Sequence, residues 1–249
     1  MHIHPPKPPH SWSDLLREVG VIVVGILLAL GAEQIIERLH WREQTRIADE
    51  GMAVELHDSL MFAYERVIID PCLRGQIRLL NTRLVQRGPH WAATPHAVLG
   101  SVIGSELPRA YRAPNRYYRS DLWTNAVSSG IIGHMAPDHV QSLSARYSYV
   151  NKLALLLAKE TEAASRLAVL ANGTTPLSPD ARVGLLAALS EVDWSNAVAV
   201  RTARGLLAEQ ARAHLYYDKA AAERDRRYEL VISRAALGNC VADLPLDLG

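Results

Sequence analysis

Phenylalanine occurs once in 249 residues, cysteine occurs twice, and the formal charges cancel to +1. Each scarcity excludes something. Near neutrality leaves no electrostatic footprint for nucleic acid, so none is expected as a partner. Two cysteines, Cys72 and Cys240, form no C-x-x-C pair of the kind that holds zinc. They allow either one disulfide in an oxidising compartment or two inert thiols in a cytosol. Catalytic signatures are missing too: there is no H-E-x-x-H, G-x-S-x-G, P-loop or G-x-G-x-x-G. No catalytic residue, metal ligand or cofactor is therefore assigned from the sequence.

What the chain has in quantity is alanine, leucine and arginine, a helical composition, with 49% apolar residues to build a core. The longest feature is VGVIVVGILLALGA, residues 19–32, which lacks any charge, amide or hydroxyl. Alone it covers only ~21 Å as a helix, against ~30 Å of hydrocarbon. Extended to residues 15–36 it covers ~33 Å, with Arg17, Glu18, Glu33 and Gln34 near its ends. Trp12 and Trp41 bracket it ~43 Å apart, close to the ~40–45 Å of a bilayer with its headgroups. Val19 and Val23 lie on its apolar surface, which is apolar on every face. A core helix would show one stripe instead. Residues 11–37 are expected to be a membrane anchor in a lipid bilayer. The competing readings are a cleaved signal peptide, because Ala29-Leu30-Gly31 has the small-x-small form of a cleavage site, and a buried core segment. Gly25 and Ala29, four apart, make a small-xxx-small face on which two anchors can associate, so a homo-oligomer through the anchor and long helices is a candidate assembly.

Residues 1–10 carry four prolines and read as a disordered tail. Its three histidines, His2, His4 and His10, lack the carboxylate or cysteine that completes a metal site. Ser11 and Asp14 have the form of a capping box that starts the first helix. From Glu33 to Ile69 no proline interrupts it, and Leu56, Leu60, Ala63 and Val67 form a packing stripe. Asp70-Pro71 is expected to end it, with a second helix over 71–87. A short helix is expected near 96–103. The stretch 107–120 interleaves Arg109, Arg112, Arg116 and Arg119 with Tyr111, Tyr117 and Tyr118. Arg and Tyr are enriched at interfaces, so this is a candidate interaction loop; the plainer reading is a proline-broken loop whose tyrosines pack on the body.

Ser120-Asp121 caps a helix that Gly130 closes. Pro137 starts a long one to about Asn172-Gly173, with a seam at Val140, Leu143, Tyr147, Val150, Ala154, Leu157, Ala164, Ala168 and Ala171 and Thr161 as its polar position. Ser178-Pro179 starts a short helix to about Ser190. Asp193 caps the last long helix, 194–237, which Gly238 ends. The fold class is all-α: an N-terminal transmembrane helix continuing into an antiparallel helical bundle over 38–240, with a C-terminal tail over 241–249.

Residual metal or catalytic signals are weak. Glu37-x-x-His40 lacks the second such pair of a di-iron site. His134, Asp138 and His139 crowd a helix start, where Asp138 is explained by the helix dipole. His214, near Tyr217 and Tyr228, reads as a satisfied core or interface histidine.

The pattern Glu18-Val-Gly-Val-Ile-Val-Val-Gly-Ile-Leu-Leu-Ala-Leu30, followed by a Glu/Gln-rich helix and Trp41, resembles a group of uncharacterised bacterial single-pass membrane proteins. Leu122-Trp-Thr-Asn-Ala-Val-Ser-Ser-Gly130, with Pro137-Asp138 and Tyr147, is similar to their second recurrent segment. The resemblance implies a bacterial inner-membrane anchor, a cytoplasmic N-terminus and a periplasmic helical domain. It implies no activity. The expected role is protein interaction, scaffolding or sensing with an unknown envelope protein. The alternative is a membrane-tethered enzyme with a site near 107–120.

Overall fold

In the computed structural model, the described residues are 12–86, 90–91, 110–171, 175–213 and 219–245. One helix dominates. α1 runs unbroken over Trp12–Val85, 74 residues, or ~110 Å at 1.5 Å per residue. Its first half stands alone: the large apolar side chains from Val19 to Leu30 are each between 47% and 69% exposed. Its second half is core. Met52, Leu56, Leu60, Tyr64, Ile68, Leu73, Leu80 and Leu84 are buried. α1 is long and apolar enough to cross a membrane, and none of its apolar window is buried. α4 also passes that test, but 44% of its window lies inside the body, as a core helix should.

The other elements are α2 (Asp121–Ser128), a 3-10 turn (Ile131–His134), α3 (Pro137–Arg166), a second 3-10 turn (Ala168–Ala171), α4 (Pro179–Ala213) and α5 (Lys219–Leu237). A two-residue antiparallel ladder pairs His90 with Pro176 and Trp91 with Thr175. α4 packs against both α1 and α3. It runs opposite to α1, since Asn196 meets Asp70 and Arg182 meets Leu84. It also runs opposite to α3, since Gln210 meets Arg146 and Glu191 meets Arg166. α1 and α3 point the same way, because the chain returns the length of the body before α3 begins. Going down α1, Gln76 meets Arg112, Glu65 meets Arg116, Phe62 meets Tyr118, Glu55 meets Leu122 and Trp41 meets His134.

Several local signals act as sequence chemistry dictates. The Ser178 hydroxyl accepts the Ala181 N–H and caps α4 one residue before Pro179. Gly130 (φ 78°) and Gly238 (φ 82°) take the left-handed conformation that ends α2 and α5. Ser120 occupies the N-cap of α2 without a side-chain bond. The expected box at Ser11, the helix near 96–103 and His214 lie outside the described residues.

Three expectations are corrected. α1 does not stop at Asp70-Pro71; Pro71 lies inside it with its ring exposed. A proline removes the N–H that the residue four back would accept. Here the carbonyl four back is Val67's, and one residue further on the tail is tied to the same turn: the Ala242 N–H bonds the Ile68 carbonyl at 2.8 Å. Next, α4 continues through Asp193 to Ala213, so Asp193 is a mid-helix residue and the last helix, α5, begins at Lys219. Finally, the seam of α3 follows Leu143, Tyr147 and Val150 but then shifts one position, to Leu153, Leu156, Glu160, Ala163, Leu167 and Leu170; Ala154 and Leu157 are only half-buried and Thr161 is exposed. At ~3.6 residues per turn an α-helix drifts against a strict heptad, so a contact stripe long enough must change register.

Candidate functional site

The 110–120 segment lies along α1 as a strap. Tyr111 is buried, and its hydroxyl donates to Glu160 Oε1 at 2.6 Å. The Arg112 N–H donates to Gln76 Oε1 at 2.9 Å. Arg116 forks onto Glu65 at 2.6 and 2.7 Å and lies 5.4 Å from the Phe62 ring centroid. Tyr118 meets the same ring edge-on. Only Tyr117, at 82% exposure, and Arg119, paired with Asp121, point outward; Arg109 lies outside the described residues. The segment therefore spends the side chains of Tyr111, Arg116 and Tyr118 on its own body.

Beneath the strap lies a line of buried charges. Arg66 and Glu160, 6% and 3% exposed, pair at 2.5 Å. Burial opposes the Arg66 charge, and the adjacent Glu160 more than offsets it, so Arg66 is held above its ordinary pKa. Burial first, then Glu160, raises Tyr111 well above the phenol range. About three turns towards the N-terminal end of the body, Glu55 Oε1 accepts from Tyr147 at 2.9 Å. One turn the other way, Asp70 Oδ1 accepts from Asn196 at 3.0 Å and from Arg74 at 2.9 Å. On the α5 side, Glu229 lies 3.9 Å from Arg116 Nη2, an ionic contact too long for a hydrogen bond. Burial, then the neighbouring Glu65, raises its carboxyl to about 7.

Carboxylates from α1, α3 and α5 thus converge beside the strap. Of these only Glu65 lines the cleft there, with Phe62, Arg66, Pro114 and Tyr118, and that cleft has room for about one water. Glu65 and Glu160 are already ion-paired. Charges this deeply buried hold registry when paired and are costly when one partner is lost. Sequence reasoning missed this line because Arg66 neighbours the Leu56–Val67 stripe and Glu160 sits on the α3 stripe only when that stripe is drawn through Leu153.

The tail is fastened to the same end of the body. Cys72 and Cys240 are bonded, with Cα atoms 5.1 Å apart. Tyr64 donates to the Leu244 carbonyl at 2.6 Å, Val241 is buried, and Arg226 pairs with Asp243 at 3.0 Å. Residues 241–245 are irregular in backbone but packed.

At the opposite pole Trp41 is not a free interfacial side chain, unlike Trp12 at 81% exposure. It stacks on His134, centroids 3.7 Å apart and planes 11° off parallel. His139 Nε2 lies 2.6 Å from Asp49 Oδ1. Between them an open groove of about 390 Å³ is lined by Arg42, Thr45, Arg46, Asp49, His134, Met135, Ala136 and His139. His40 meets Trp41 edge-on, at 5.5 Å and 71°. Among the described residues no group of three His, Cys, Asp or Glu side chains has metal-binding geometry. Val19, Val23, Gly25 and Ala29 lie on the bare part of α1, and a Cβ on Gly25 meets nothing within 4 Å.

No protein-family model, curated protein or solved structure matches the chain.

Proposed function

We propose that the chain is a single-pass protein of the bacterial inner membrane. Its N-terminus is cytoplasmic, and its helical body serves protein interaction, scaffolding or sensing in the periplasm. The observation that carries this is the division of α1: residues 15–36 bury nothing in the body, while the same helix continues into its core. A bare apolar run of ~33 Å in water is costly, and the same run in hydrocarbon is not. The Cys72–Cys240 bond supports the periplasmic side, because such bonds persist in oxidising compartments. The resemblance of the anchor to single-pass inner-membrane proteins agrees with both.

The test has two parts. Carbonate-washed membranes should retain the protein, and thiol-blocked protein from whole cells should change mobility on reduction. N-terminal sequencing that starts near Ala32 rejects the anchor. Alkylation of both cysteines without reductant rejects the periplasm. Crosslinking in intact membranes with mass spectrometry then identifies the envelope partner.

A second reading, a membrane-tethered enzyme with its site beside 107–120, draws on the carboxylates that converge under the strap. Their ion pairs and the room for about one water weigh against it.

A further inference from the structure

We infer that the groove at the foot of the body binds the phosphate of an anionic phospholipid headgroup; the inference rests on the anchored reading above. Its height follows from α1 itself. Arg42 lies six residues past Ile36, ~9 Å along the helix, against ~5–7 Å for one headgroup layer. Helical side chains lean towards the N-terminus, which here is towards the bilayer. The groove therefore opens at headgroup level, whichever leaflet the body faces.

Its chemistry suits a phosphate. Arg46 is committed to Glu43 and Glu50, at 2.6 and 2.7 Å, and Asp49 is bonded to His139. Arg42 is exposed, and its guanidinium has no partner among the described residues; only its backbone carbonyl is engaged, by Thr45. Arginine presents a planar fork of donors that matches phosphate oxygens. His134, held by its stack on Trp41, forms the opposite wall. One acidic lining residue, already bonded, faces two arginines and two histidines. The groove is also where α3 begins, with Ala136 at its N-cap offering no side-chain oxygen. The site thus joins α1 to the start of α3 through a lipid and sets the body upright on its membrane.

The experiment uses the full chain, floated on phosphatidylcholine vesicles containing phosphatidylglycerol and then examined by native mass spectrometry. The wild type should carry phosphatidylglycerol, and Arg42→Gln combined with His134→Phe should lower that retention about five-fold, the worth of one arginine near an anionic surface. Phenylalanine keeps a ring for Trp41, so the fold is not at issue. Arg38→Gln, one turn nearer the bilayer and outside the groove lining, should have less effect. Equal retention by wild type and double variant overturns the site while the anchor stands, as does an equal loss with Arg38→Gln. Failure to float overturns the anchored reading, and the headgroup as ligand with it. Inorganic phosphate titrated onto detergent-solubilised protein distinguishes the sources: saturation that needs Arg42, without preference for phosphatidylglycerol, replaces the headgroup with free phosphate and overturns the proposal.

Discussion

Residues 15–36 and 52–84 belong to one helix with the same backbone, yet they solve opposite problems. The first stretch is apolar all round and touches nothing else in the body. The second has one apolar face plus Glu55, Glu65, Arg66 and Asp70, all buried, on or beside it. The difference teaches that apolarity alone does not mark the part of α1 that meets other helices; an apolar face interrupted by partnered charges does. The bare half matches a solvent of hydrocarbon, and the buried half needs partners of fixed geometry for each of its charges.

The sharpest way to break the comparison is to leave one buried charge alone. Glu160→Ala strips Arg66 of its partner and should cost about 3–5 kcal/mol in unfolding of the full chain in detergent. Replacing both, as Arg66→Met with Glu160→Leu, should recover most of it, and membrane retention should not move in either variant. Next in size, Val24→Arg places a charge at the middle of the bare half, at about 2.5–3.5 kcal/mol on insertion scales. Carbonate-resistant protein should fall while the unfolding midpoint of the body stays put.

A smaller effect separates the halves by pH. The folded pKa of Glu229, about 7, lies above its unfolded value of 4.5. Between those values the folded state holds a proton that the unfolded state has released. Its contribution to stability is therefore complete below about pH 4.5 and is lost as pH rises through about 7. Against Glu229→Gln, the wild type should lose about 1–3 kcal/mol between pH 5 and 8, read from denaturation midpoints. Smallest is Gly205→Ala, whose Cβ would come within 2.6 Å of the Tyr149 ring where α3 and α4 approach. A shift of about 1 kcal/mol is expected, with no change in the bare half of α1.

How much of this was legible in the sequence depends on the range of the cause. The bare half of α1 was legible because an uninterrupted apolar run is a local signal. The ends at Gly130, Gly238 and Ser178-Pro179 were legible because caps and left-handed glycines act within one turn. Pro71 misled because the cost of a proline inside a helix is a local rule, whereas the packing that holds this turn, with Ile68, Ile69, Cys72 and Leu73 buried, comes from the rest of the body. Asp193 misled because an exposed mid-helix aspartate and an N-cap look alike until the next turn is seen to be helical. Of the candidate loop, the Arg and Tyr composition was visible, but its targets, Glu65 and Glu160, belong to distant helices. The groove at Arg42 was illegible for the same reason: His134 and Trp41 meet only because the strap runs back down the body.

The bond between Cys72 and Cys240, 168 positions apart, closes nearly the whole body into a covalent ring hung from α1. A protease that cuts once anywhere between them, including in the stretch 92–109, opens the ring without releasing a fragment. Both pieces stay joined to α1 until the sulfurs are reduced. The body thus stays attached to the bare half of α1 after a single nick, and a nicked population would reveal itself only on a reducing gel.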